Sequence, residues 1–268
     1  MTSDRAALLA LAADVAQAAA RLITEERPRG LQVESTKSTA TDIVTEMDHR
    51  SEAMIVERIS AARPDDGFLG EEGADQAGTS GVTWVIDPID GTVNYLYEVP
   101  SYAVSIAARV DDVIVAGVVV NAVSGETWTA VRGAGSWLDG HPLRVQPGPE
   151  PALALIATGF GYDRRRRARQ AEILHNLLPE VRDMRRLGVA SLDLCNVAAG
   201  RVDAFYEQGL QPWDLAAGGL VAEEAGVSVT GLHGRAAGEQ MVVAAAEPLA
   251  GRLVALLEGL DADSDPLA

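Results

Sequence analysis

The sequence predicts an α+β protein in two halves, residues 1–146 with a largely antiparallel sheet and residues 147–268 with alternating strands and helices. Apolar residues recur at helical spacing in the first segment, and closely spaced β-branched stretches follow as far as Val131. Beyond Gln146-Pro-Gly-Pro-Glu-Pro151, which is the best internal boundary, strand and helix signals alternate. The two halves are read as parts of one compact unit.

From Ser3 to Glu25 apolar residues stand at 8, 11, 12, 15, 19, 22 and 23. That is one face of a helix, which Thr2 or Ser3 would cap and Pro28-Arg-Gly30 would stop. A short extended stretch near Leu31–Glu34 leads into the polar loop Ser35–Thr41. A second helix is expected over Asp48–Ala62, ended by Pro64-Asp-Asp-Gly67. Strands are expected at Phe68-Leu69, Val82–Ile86, Ala103–Val110, Val113–Asn121 and Glu126–Val131. In the second half, strands over Leu153–Thr158, Val202–Glu207 and Met241–Ala245 alternate with helices over Arg165–Leu178, Ser191–Ala199, Trp213–Ala225 and Leu249–Leu257. Asp261–Ala268 reads as a frayed tail.

Composition narrows the function classes. The hydrophobic share is 47% with only 4% aromatic, so the core is built from Ala, Val, Leu and Ile. No apolar run reaches the roughly 18 residues that span a bilayer, and Met1-Thr-Ser-Asp-Arg5 does not open a secretory signal. With Cys195 alone there is no internal disulfide, which fits a reducing cytoplasm. A net charge of −17 disfavours nucleic acid as a partner. It suits a phosphate ester only if some carboxylates hold divalent cations that invert the local sign. Lys37 is the one lysine in the chain. Codon bias explains the general preference for arginine; a retained lysine points to a need for that side chain.

The segment Trp84-Val-Ile-Asp-Pro-Ile-Asp-Gly-Thr-Val-Asn94 carries the most chemistry. An apolar strand runs into Asp87-Pro88, where the proline is expected to end strand pairing, and Asp90-Gly-Thr92 reads as a tight turn opening a short helix. Two carboxylates three positions apart on a bend then face one space, beside the amides of Gly91 and Thr92. Hard oxygen ligands suit Mg²⁺, and amides at a helix start suit phosphate. Asp-Pro and Asp-Gly are also ordinary turn formers. Gly70-Glu-Glu-Gly73 puts at least one further carboxylate at a strand end, while Glu72 fits a solvated acidic loop equally well. Gln211-Pro-Trp-Asp214 places Asp214 at a helix start, where it would serve as a cap, a metal ligand or both.

Taken together, these segments resemble the inositol monophosphatase family of lithium-sensitive, metal-dependent phosphatases. The resemblance rests on Asp87-Pro-Ile-Asp-Gly-Thr92 with Asn94, Trp213-Asp-Leu-Ala-Ala-Gly218, Gly70-Glu-Glu72 and Thr41-Asp-Ile-Val-Thr-Glu-Met-Asp48, in that family's order and spacing. It implies a layered αβαβα sandwich, a dimer, and Mg²⁺-dependent hydrolysis of a phosphate monoester with two to three ions. It further implies that Glu71, Asp87 and the Ile89 carbonyl hold one Mg²⁺ while Asp87, Asp90 and Asp214 hold a second. Thr92 and Glu71 would hold the attacking water. Lys37 and Asp42 would belong to the loop over the site, Lys37 as a positive charge near the phosphate, and Glu72 would be a further lid or supporting residue.

The same resemblance places substrate contacts in Gly188-Val-Ala190 and in Glu207, which would accept a ring hydroxyl. Val93-Asn94-Tyr95 is similar to inositol monophosphatases, so myo-inositol monophosphate is the expected substrate. Fructose 1,6-bisphosphate and histidinol phosphate are the alternatives, and a non-catalytic, partner-binding regulator on the same fold is the reading from another class. Arg164–Arg167 with Arg169 form a basic cluster, read as a solvated helix start paired with acidic surface rather than as a second phosphate site. His49, His141, His175 and His233 fall outside the motifs.

Overall fold

The computed structural model describes residues 2–28, 30–37 and 43–267. Asp42 and the rest of its loop from Ser38 lie outside the described residues. The first half contains α1 (Thr2–Glu25), β1 (Ser35–Thr36), β2 (Ile43–Val44), α2 (Glu46–Ala62), β3 (Gly67–Gly70), β4 (Asp75–Gln76), β5 (Val82–Asp90) and α3 (Thr92–Leu96). It continues with β6 (Ala103–Val110), β7 (Val113–Asn121), β8 (Thr127–Val131), β9 (Gly135–Leu138) and β10 (His141–Pro142). The second half contains β11 (Leu155–Thr158), α4 (Arg164–Leu177), β12 (Asp183–Arg185), α5 (Ala190–Ala198) and β13 (Ala204–Glu207). It ends with α6 (Pro212–Ala225), β14 (Ser228–Thr230), β15 (Val242–Ala245) and α7 (Leu249–Gly259).

An eight-stranded sheet has the order β10-β9-β8-β7-β6-β5-β3-β4, antiparallel except where β3 runs parallel to β5. A five-stranded mixed sheet has the order β12-β11-β13-β15-β14. Because side chains alternate along a strand, each sheet has two faces to cover, and here both are apolar. Trp84, Ile86, Val104, Ile106 and Val118 meet α1 and α2, through Val15, Ala19, Ile23, Ile55 and Ile59. Their neighbours Val85, Ala103, Ala107 and Val119 meet α5 and α6 through Leu192, Cys195, Leu220 and Val221. In the small sheet, Ala157, Phe205, Val242 and Ala244 face α5 and α6, while Ile156, Ala204, Tyr206 and Val243 face α4 and α7. The layers therefore run α1/α2, large sheet, α5/α6, small sheet, α4/α7. The molecule is a layered αβαβα sandwich.

α1 is long and apolar enough in composition to cross a membrane, but Leu8, Ala12, Val15, Ala16 and Ile23 are buried against the large sheet. The middle layer is packed closely. A Cβ at Gly117 in β7 would lie 3.0 Å from the Ala217 Cα in α6, and one at Gly218 would lie 2.9 Å from the Ser191 carbonyl oxygen in α5. Glycine at these two positions brings α6 against both the sheet and α5.

Two expectations need correction. Pro88 does not end β5, which pairs with β6 as far as Asp90↔Ala103 through a register shift after Asp87↔Ser105. A bulge absorbs the missing N–H. Residues 261–267 are not frayed either. Ala262 is fully buried, Arg169 donates to the Leu260 carbonyl (2.6 Å) and the Ser264 hydroxyl (3.2 Å), and Arg235 pairs with Asp263 at 3.0 Å. Short polar side chains suggested solvent, but arginines of α4 and the Gly231–Arg235 region pin them. Replacing Gly117 by Val should lower stability by about 1–3 kcal/mol through overpacking against α6; urea denaturation checks this, and an unchanged midpoint would contradict the close approach.

Candidate active site

The bulge in β5 makes the site. In a regular strand residues three apart point to opposite faces. Here β5 advances three residues, from Asp87 to Asp90, while β6 advances two, from Ser105 to Ala103. The extra residue turns both carboxylates to one side. Asp214, in the first turn of α6, completes the group: ligand oxygens of Asp87, Asp90 and Asp214 lie within 4.8 Å of one another. Asp214 does not cap the helix as its first residue would. It reaches back to accept the Gln211 amide at 2.7 Å, so capping and site geometry are met by the same side chain.

Each acid is anchored by backbone. Asp87 accepts the Ile89 amide at 3.1 Å, and Asp90 accepts the Ser191 amide at 2.7 Å. The latter bond crosses from the large-sheet half to α5. Asn94 makes the same crossing, donating to the Ser101 carbonyl at 2.9 Å and the Leu187 carbonyl at 2.8 Å. Gly91, with φ of 92°, takes a left-handed conformation and leaves no room for a Cβ, which would sit 2.9 Å from Val189 Cγ2. The site thus lies on the seam between the halves.

A cavity of about 490 Å³ opens there. Its walls include Glu71, Asp87, Ile89, Asp90, Gly91 and Thr92 from the first half, together with Lys37. Gly188, Ala190, Glu207 and Asp214 come from the second. The Val189 side chain instead is fully buried in the core under the large sheet. Lys37 bridges two carboxylates, 2.7 Å from Glu71 Oε1 and 2.8 Å from Glu72 Oε1. Glu72 is therefore not a solvated loop residue; its side chain is nearly buried under Lys37.

Two functional positions escaped the sequence reading. Asp48, fully buried on α2, accepts the Thr92 hydroxyl at 2.9 Å, with the Ile89 carbonyl 3.0 Å from the same hydroxyl. Its other oxygen receives the Thr45 amide at 2.8 Å and contacts the Thr45 hydroxyl. Glu52, one turn on, accepts the amides of Glu72 (3.0 Å) and Ala74 (2.9 Å), and a Cβ at Gly70 would collide with its carboxylate. The signal was present: two acids spaced four apart on the same helix face as Ile55 and Ile59.

The electrostatics follow from burial. Burial, then the Glu71, Asp90 and Asp214 charges, hold the Asp87 acid well above the usual carboxylate range. Burial and the Glu71 charge do the same for Asp214. Burial pushes Asp90 and Asp48 up to about 6, Glu72 to about 7 and Glu207 to about 8. Burial opposes the charge on Lys37, but Glu71 and Glu72 outweigh it and its pKa rises. Hard oxygen donors that converge and repel fit Mg²⁺, which prefers carboxylates and would relieve that repulsion.

A family model for the inositol monophosphatase family matches residues 4–262. The chain belongs to the inositol monophosphatase family. Among similar members, "Inositol-1-monophosphatase SuhB" of Mycobacterium tuberculosis is 47% identical over 232 residues, covering 83% of this chain and 80% of that protein. "Nus factor SuhB" of Pasteurella multocida is 39% identical over 229 residues, covering 85% and 86%. The solved structure of the extragenic suppressor protein suhB from Bartonella henselae superposes with a TM-score of 0.88 at 36% identity, covering 94% of this chain and 98% of that one.

A raised carboxylate pKa has a definite sign in this inositol monophosphatase-family fold. Such a group contributes stability that is complete below its unfolded value near 4 and lost as the pH rises through the folded value. Without metal the protein should melt lower at about pH 8 than at about pH 5, and Mg²⁺ should raise the Tm more at the higher pH. Thermal unfolding with EDTA or Mg²⁺ at both pH values checks this; equal Mg²⁺ shifts would count against a metal role for the cluster.

Proposed function

We propose that the chain is a Mg²⁺-dependent phosphomonoesterase that hydrolyses a myo-inositol monophosphate. The observation that carries this reading is the convergence of Asp87, Asp90 and Asp214 beside Thr92, whose hydroxyl is held by Asp48. Asp87, Asp90 and Asp214 would hold one ion, and Glu71, Asp87 and the Ile89 carbonyl another. Bound Mg²⁺ supplies charge neutralisation at the phosphoryl oxygens and lowers the pKa of a nucleophilic water.

The chain's own groups do the rest. Thr92 and Glu71 hold the attacking water, and Asp48 takes the Thr92 hydroxyl hydrogen, so that the hydroxyl oxygen is free to accept a hydrogen bond from that water and orient it. The Gly91 and Thr92 amides face the phosphate and favour the charge it gathers. Lys37 bridges the Glu71 and Glu72 carboxylates and offsets their charge at the edge of the site. Glu207, whose carboxyl pKa burial pushes up to about 8, takes a ring hydroxyl, and the Gly188–Ala190 backbone flanks the ring. Fructose 1,6-bisphosphate and histidinol phosphate are the competing substrates on the same machinery.

Relatives named Nus factor favour a second reading, a partner-binding regulator on this fold. The complete carboxylate set supports the enzyme, because a regulator has no need to keep buried acids that repel each other. Phosphate release with Mg²⁺ from a panel of inositol, sugar and histidinol phosphates decides between them. Release from inositol 1-phosphate above the others is expected, and no release from any ester by folded protein would sink the enzyme reading.

Asp90→Asn should cut phosphate release by more than about 100-fold, since even outer partners of metal ligands cost 10–100-fold. Thr92→Val should lower kcat by about 10²-fold or more, with Thr92→Ser restoring most of it. Steady-state kinetics test both; wild-type rates in either variant would remove that residue from the mechanism. Lys37→Arg should reduce activity while the melting profile is unchanged, and unaltered kinetics would leave codon bias as the reason for the lone lysine.

A further inference from the structure

The C-terminal segment after α7 reaches the catalytic cavity. Arg166, on the first turn of α4, lines that cavity, as does Leu267. The neighbours of Arg166 in the basic run are used elsewhere: Arg165 pairs with Asp163, and Arg167 donates to the Gly161 and Tyr162 carbonyls at 3.4 and 2.8 Å. Arg166 instead lies in a slot made by two glycines. A Cβ at Gly161 would sit 2.8 Å from its Cδ, and one at Gly209 would sit 2.6 Å from its Nη1. Its side chain is only 15% exposed, and its Nε is buried without a hydrogen-bond partner.

The charge in this slot is met by the tail. Asp265 Oδ2 pairs with Arg166 Nη2, and Asp265 Oδ1 accepts the Leu267 amide at 3.0 Å. One carboxylate thus neutralises the guanidinium and sets Leu267 in the cavity wall. The segment before it is fastened by the buried Ala262, by Arg169 on Ser264, and by Gln208, itself a cavity residue, which donates to the Asp263 carbonyl at 3.3 Å. No other acid is paired with Arg166 among the described residues.

We infer that residues 261–267 form part of the substrate site, and that Asp265, by occupying Arg166, selects against esters carrying a second anionic group in favour of single-phosphate polyols. A guanidinium in a half-closed slot binds phosphate strongly when it is free. A carboxylate already seated on it must be displaced, and its negative charge repels the incoming group. The inference rests on the phosphomonoesterase reading and names the selectivity of that same site.

The test compares inositol 1-phosphate with inositol 1,4-bisphosphate, which share a ring and differ by one phosphate. Wild type, Asp265→Asn, a chain ending at Ser264, and Asp265→Asn combined with Arg166→Gln are assayed for phosphate release with Mg²⁺. Affinity for both esters is also measured by calorimetry with Ca²⁺ in place of Mg²⁺. Freeing one charge-assisted hydrogen bond is worth about tenfold, so Asp265→Asn and the shortened chain should raise the bisphosphate-to-monophosphate ratio about tenfold in both measurements. Arg166→Gln should abolish that gain. An unchanged ratio, absence of binding, or a gain that survives Arg166→Gln overturns the inference. If no form releases phosphate, the hydrolase reading fails, while the calorimetric ratio still decides the selectivity role.

Discussion

Mutual repulsion among buried carboxylates is the constraint on which the rest of this molecule depends. Asp87, Asp90 and Asp214 bring oxygens within 4.8 Å of one another, with Glu71 adding its charge beside them. Nothing in that group favours its own assembly. It is held by the surrounding fold: a bulged strand, a helix start, and backbone amides from Ile89, Ser191 and Gln211. The apolar layers on both faces of both sheets supply the driving force, since burying hydrocarbon is worth roughly 25 cal/mol per Å². A local site with unfavourable electrostatics persists because it is a small part of that total.

The layer order explains why the site can draw on both ends of the chain. The eight-stranded sheet delivers Asp87 and Asp90 at the end of β5, and α6, packed against that sheet at Gly117, delivers Asp214. Helix α5 lies beside α6 and sends the Ser191 amide to Asp90. Both helices of the middle layer therefore point their N-termini at the cavity, where partial positive charge favours anions. The small sheet then adds Glu207 from the end of β13, so the cavity has the Asp87 and Asp90 carboxylates on the side of one sheet and the Glu207 carboxyl on the side of the other.

Polar residues behind the cavity show how precisely the loop carrying Glu71 is set. Glu52 accepts two amides from it, and Gly70 gives the Glu52 carboxylate its space. Lys37 holds Glu71 from the open side. Asp48 performs the matching task for Thr92. These acids resemble one another in sequence but divide into two jobs, those that face the cavity and those that fix the ones that do. The charge of each is tolerable only because its lone pairs are taken by hydrogen bonds.

The sequence by itself determined the long elements and the carboxylate motifs, because helical and alternating periodicities are local and Asp-Pro-Ile-Asp-Gly-Thr is contiguous. The last strand of the large sheet ends at Pro142 and the first of the small sheet begins at Leu155. What only the tertiary structure decided involves partners distant in the chain. The continuation of β5 past Pro88 depends on β6, the role of Asp48 depends on Thr92 44 positions away, and the burial of Glu72 depends on Lys37. The tail reads as solvent-exposed because Asp263, Ser264 and Asp265 are short and polar. Its order comes from arginines nearly a hundred residues earlier, and no local pattern encodes a contact of that separation.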